Sequence, residues 1–149
     1  MIKKFELYHG IVLSKMVHYD SKEVKIQLYP SPANASYILN NNIGFYIKHS
    51  TKRMSPWRFS FQRTHQEEIL KMKGDFNRVY VLLVCGNDGV VALNFNELKA
   101  ILNEAHEETE WISATRTRNT EYTVKGSDGS LHYKIGKKDF PRKLFAEII

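Results

Sequence analysis

The chain has 149 residues, 42% hydrophobic and 26% charged, proportions of an ordinary folded domain and not of a disordered or fibrous one. Its 22 Lys and Arg against 16 Asp and Glu leave a net charge of +6, which favours a polyanionic partner, although surface lysine also serves solubility. A single cysteine, Cys85, excludes a disulfide framework and a multi-thiolate metal centre. No segment approaches the roughly 20 apolar residues that cross a bilayer, so a cytoplasmic protein with no membrane partner is the expectation.

Leu7 to His18 places Leu7, Tyr8, Ile11, Val12, Met16 and Val17 at helical spacing, which predicts an amphipathic helix. Val24, Ile26 and Leu28 alternate with polar neighbours, the pattern of a half-buried strand, and Pro30-Ser31-Pro32 ends it. Strands at Ser36–Leu39 and Gly44–His49 flank Asn40-Asn41-Asn42, a turn composition that tolerates positive φ. Trp57, Phe59 and Phe61 alternate with Arg58, Ser60 and Gln62 as a further strand.

Thr64 and Glu67 form a capping-box pattern at the head of a helix that Gly74 is expected to close in a left-handed conformation. The apolar run Val79–Cys85 predicts a strand covered on both faces, turned by Gly86-Asn87-Asp88-Gly89 into Val90–Leu93. Asn94 and Glu97 repeat the capping pattern for a helix ending near Asn103. The acidic residues gather between Glu104 and Glu110, read as a solvated loop or a frayed helix end. Strands are expected at Trp111–Ala114, Tyr122–Lys125 and Leu131–Ile135. Without repeats or linkers, residues 1–149 read as one α/β (α+β) domain. A central mixed sheet flanked by helices would occupy residues 5–103, and a C-terminal β-hairpin extension residues 111–149.

The positive charge is uneven. Lys48, Lys52, Arg53, Arg58 and Arg63 fall in one short region, and Arg116, Arg118, Lys125, Lys134, Lys137, Lys138, Arg142 and Lys143 in the last quarter. The segment Thr51-Lys52-Arg53-Met54-Ser55-Pro56-Trp57-Arg58 combines cations, a small hydroxyl at Ser55 and an indole beside a turn proline. Such groups contact phosphate oxygens and stack on bases. Trp57 also suits a core position at the start of a strand. Arg116, Arg118, Lys137 and Lys138 are candidates for the second wall of a nucleic-acid groove.

The order helix, three antiparallel strands, helix, strand, together with Tyr46-Ile47-Lys48, resembles the PD-(D/E)XK nuclease superfamily, which includes restriction endonucleases and Holliday junction resolvases. The resemblance covers about residues 5–103 and is one of layout more than of motif. It implies a restriction-endonuclease-like core that binds double-stranded DNA and hydrolyses phosphodiesters with Mg²⁺, with a homodimer supplying one site per strand. Lys48 takes the place of the lysine of Glu-X-Lys, as the group that orients the attacking water. Tyr46 stands where its glutamate is expected, Ser36 or a neighbour where an aspartate is expected, and Glu6 is the candidate helical metal ligand. Glu67 or Asp20 could join Glu6 in a rearranged site.

Holding Mg²⁺ requires carboxylates, because a hard cation gives up its own water reluctantly, and Tyr and Ser hydroxyls are poor substitutes. The alternative is therefore a non-catalytic nucleic-acid- or protein-binding module on the same scaffold. His9, His18, His49, His65, His106 and His132 show no zinc-ligand spacing, and His65 reads as a capping residue. Gly86–Gly89 lacks the lysine of a phosphate-binding loop, and no serine has a convincing His/Asp constellation.

Overall fold

In the computed structural model of the protein, residues 1–19, 23–103, 105 and 110–146 are described. The first helix, α1 (Lys4–Val17), starts three residues earlier than its apolar spacing suggests, because the Glu6 carboxylate accepts the Lys3 amide and extends the first turn. Three antiparallel strands follow: β1 (Ile26–Leu28), β2 (Ser36–Leu39) and β3 (Ile43–Ser50). The tight turn between β2 and β3 holds Asn40 at φ 50° and Asn41 at φ 67°, conformations that asparagine tolerates better than most residues.

The chain then leaves this sheet. Strand β4 (Trp57–Phe61) pairs with residues 110–114, far along the chain, and helix α2 (Arg63–Asp75) leads back to β5 (Arg78–Cys85), which lies parallel to β3. A turn joins β5 to antiparallel β6 (Gly89–Asn94), giving a central mixed sheet of order β1-β2-β3-β5-β6. Helix α3 (Phe95–Ile101) opens on the expected capping box, with reciprocal bonds between Asn94 and Glu97. Strands β7 (Glu110–Thr115), β8 (Thr123–Gly126) and β9 (Gly129–Ser130) add to β4 as a second, antiparallel sheet of order β4-β7-β8-β9. A short helix, α4 (Asp139–Phe145), closes the described chain.

Both faces of the central sheet are covered, which explains why β5 is apolar without alternation. Phe45, Ile47, Leu82 and Val84 point to one side, against Val12 and Met16 of α1 and Phe140 and Leu144 of α4. Tyr46, Val81 and Leu83 point to the other, against Ile69 and Met72 of α2, Leu98 of α3 and the inner residues of the second sheet. Burying each large side chain of this kind contributes about 1.5–3 kcal/mol, so the protein has two cores divided by one sheet.

Several expectations are corrected. The C-terminal strands are not a free hairpin extension: they build a sheet around β4, whose alternating Trp57, Phe59 and Phe61 form its buried face. Leu131–Ile135 is no strand, and only Ile135 makes an isolated bridge, to Tyr122. Helix α2 begins at Arg63, so its cap is Gln62 with His65 and not Thr64 with Glu67. Gly74 lies inside that helix, and extended Phe76 ends it. Leu28 is largely exposed, so the alternation of β1 buries less than it promised. Tyr46 faces a second core and not an open surface. Asp20 and most of the acidic segment lie outside the described residues; Glu110, at its end, is buried and accepts the Ser127 hydroxyl.

Candidate nucleic-acid interface and the Lys48 notch

Strand β2 pairs only with residues 43–46 of β3, and one further bond, from the Ile47 amide to the Ala35 carbonyl, closes the ladder. Beyond it β3 continues to Ser50 with β5 on one side only. The missing strand leaves a notch in the sheet, and it forms a cavity of about 270 Å³. Its walls come from Phe5 and His9 of α1, the 33–35 segment, Tyr46 to His49 of β3, and His65 at the head of α2.

Strand alternation decides what enters from each side. Lys48 shares the Tyr46 face, where its ammonium lies 3.2 Å from His65 Nδ1 and 5.0 Å from the centre of the Phe61 ring. His49 shares the Phe45 face, where it stacks on Tyr8 at 4.6 Å. His9 is buried beside it, with Nδ1 2.8 Å from the Tyr37 hydroxyl. Burial pushes Lys48 down to about 8, since the low-polarity wall disfavours the ammonium. Burial first, and the neighbouring His49 second, lower His9 to about 4. His49 is lowered by burial and by the charges of Lys48 and Lys4. Both shifts favour the uncharged form of the imidazoles.

Of the other residues read as catalytic, Tyr46 is 2% exposed, and its hydroxyl is held protonated by burial and by Glu68. Glu6 is exposed and occupied with the Lys3 amide, outside the notch lining. Buried Ser36 donates instead to Glu68 of α2, which also accepts from Ser31 at 2.6 Å. A magnesium site of the kind the resemblance implies does not fit these side chains. Among the described residues the notch lining contains no carboxylate, and no three His, Cys, Asp or Glu side chains converge as metal ligands.

The basic loop after β3 folds back over the end of β5. The Lys52 carbonyl accepts Trp57 Nε1 at 2.9 Å, and its approach to Gly86 leaves no room for a side chain there. Ser55 donates to the Arg116 carbonyl at 3.2 Å, joining this loop to the end of β7. Asp88, in the turn between β5 and β6, holds Arg116 through two bonds of 2.7 and 2.5 Å, accepts from Tyr122 at 2.6 Å, and lies 4.0 Å from Lys137. These bonds, Arg116 foremost, depress Asp88 to about 2.

Arg116 and Lys137 thus collect around Asp88, in the turn on which the Lys52 carbonyl packs. Arg53, Arg118 and Lys138, their chain neighbours, are exposed. Trp57 is in the core, and its ring packs on Tyr122. Arg58 lies on the opposite face of β4, stacked over Trp111 at 4.4 Å. His65 was legible as a capping residue, as the Gln62 amide bond bears out, but the grouping of the three histidines and the role of Asp88 were not. The histidines come from three elements with no shared spacing, and Asp88 sits in an ordinary turn.

Comparisons with models of known protein families, with curated proteins and with solved structures gave no match.

Proposed function

We propose that the protein binds nucleic acid, double-stranded DNA in the first instance, with the phosphate backbone laid across the basic end formed by Lys52, Arg53, Arg118, Lys137 and Lys138. One observation carries this reading: segments distant in sequence meet at the 86–89 turn, where the Lys52 carbonyl packs on Gly86 and Arg116 and Lys137 lie on Asp88, while their chain neighbours Arg53, Arg118 and Lys138 are exposed. Exposed lysine and arginine at such a surface neutralise phosphates and release their counterions. The Lys48 notch opens on the strand that leads into the same loop.

The carboxylate-free lining favours binding over Mg²⁺-dependent hydrolysis. Duplex affinity is expected to be unchanged by EDTA, without nicking of supercoiled plasmid. Fluorescence anisotropy of a labelled duplex tests the reading directly. Log affinity should fall steeply with log salt, and Lys52→Ala with Arg53→Ala should reduce the slope by about 1–2. A flat salt dependence would count against phosphate neutralisation and for a protein partner.

A further inference from the structure

We propose that Lys48 is an amine nucleophile that forms an imine with the open-chain aldehyde of a deoxyribose that has lost its base. The inference rests on the nucleic-acid reading for its substrate, but its chemistry stands on the notch itself. Among the described residues Lys48 makes no ion pair; the salt bridges engage Arg116, Lys137, Arg142 and Lys143 instead. Its Nζ is held between the His65 ring and the Phe61 ring at the wall of a cavity, so the atom is positioned and not swinging in solvent.

Aldehyde capture needs three things of a lysine: a lone pair, access, and no carboxylate to hold the proton in place. An ordinary lysine is almost wholly ammonium at neutral pH. Burial leaves Lys48 near 8, so about one-tenth of it carries a free lone pair at pH 7. The lining adds no acid. The cavity, about 270 Å³, lies below the range that holds drug-sized ligands and suits one sugar–phosphate unit.

The step balances without a co-reactant. The Nζ lone pair attacks the C1′ carbonyl carbon, and the carbonyl π electrons pass to oxygen, which takes a proton. The nitrogen of the resulting carbinolamine loses a proton to solvent, its hydroxyl takes a second proton from solvent and leaves as water, and the nitrogen lone pair closes C=N as a protonated imine, which loses its remaining N–H proton to solvent to give the neutral imine. His65 takes no proton on Nδ1 while that atom accepts the Gln62 amide, so solvent is the proton carrier.

Sodium cyanoborohydride tests this, because it reduces an imine to a stable secondary amine. The full chain is incubated with a duplex carrying one baseless site, and with the intact duplex as control. The expected result is a covalent protein–DNA adduct on the baseless duplex alone. Peptide mass mapping of the wild-type adduct should place it on Lys48, and Lys48→Gln should retain at most about one-tenth of the yield. An adduct that maps to other lysines, or that persists in Lys48→Gln, overturns the proposal even if the variant is poorly folded. Duplex binding is measured on the same samples. Binding without an adduct removes the imine and leaves the nucleic-acid reading intact, whereas neither binding nor adduct removes both.

Discussion

The ammonium of Lys48 stands 3.2 Å from Nδ1 of His65, and that same nitrogen accepts the Gln62 amide at 3.1 Å. An amide can only donate, so Nδ1 is an acceptor and the ring carries its proton on Nε2. One imidazole therefore both caps α2 and walls the notch. His65→Ala should cost about 0.5–2 kcal/mol of stability, the usual loss when a helix start loses its acceptor. It should also let water reach Nζ and raise Lys48 from about 8 toward the ordinary lysine value, because burial is what lowers it. Chemical denaturation reads the first effect and a ¹³C-methylated lysine titration the second. A Lys48 titration unmoved by the substitution would disconnect the ring from the notch.

Acid should weaken the fold in a defined window. His9 is held to about 4 when folded and returns to about 6.5 when unfolded. Between those values the unfolded chain binds more protons, so stability falls as pH drops from 6.5 toward 4 and is complete above that window. At about 1.4 kcal/mol per pKa unit the loss reaches up to about 3 kcal/mol, with lowered His49 adding in the same direction. His9→Gln should flatten the curve in this range. Asp88 acts lower, its contribution fading from about 3.8 toward 2. Urea denaturation midpoints at half-unit pH intervals separate the two.

The readable part of this chain was whatever local pattern controls alone. The capping pair Asn94 and Glu97, the paired left-handed asparagines, and the unbroken apolar run of β5 are each decided within a few residues. The destination of β4 was not legible. Alternating Trp57, Phe59 and Phe61 specify a one-sided strand, but nothing near them says that the other strand is 110–115. The notch was hidden for the same reason: it exists because β2 is shorter than β3, a difference between elements. Lys48 could be singled out by its place at a strand end and His65 by its place at a helix start, whereas their meeting with His9 at one notch could be found only in space.

The basic loop is fastened to the sheet through Gly86. This residue sits at φ +53°, and a Cβ built on it would stand 2.3 Å from the Lys52 carbonyl oxygen. Gly86→Ala therefore meets both left-handed strain and a backbone clash, and the loop must lift. A loss of at least about 1–2 kcal/mol is expected, with release of the Trp57 indole from the same carbonyl. Thermal melting and the Trp57 indole N–H resonance report the two effects. A variant of wild-type stability with an unshifted resonance would contradict the packing described.

Asp88 sets stability against charge at the proposed interface. Its carboxylate satisfies Arg116 and Tyr122 and lies near Lys137, so Asp88→Asn removes the anion that joins the β5–β6 turn to the second sheet. With both members of the Arg116 pair only partly exposed, the cost should be about 2–3 kcal/mol, much of it from leaving the guanidinium poorly compensated. The same change raises the net charge by one and frees Arg116 toward solvent. Duplex affinity, measured well below the melting transition, should therefore rise while stability falls, and the salt dependence should steepen. Stability and affinity falling together, in protein shown to be folded by circular dichroism, would mean that Arg116 serves only as a strut and that DNA binds elsewhere.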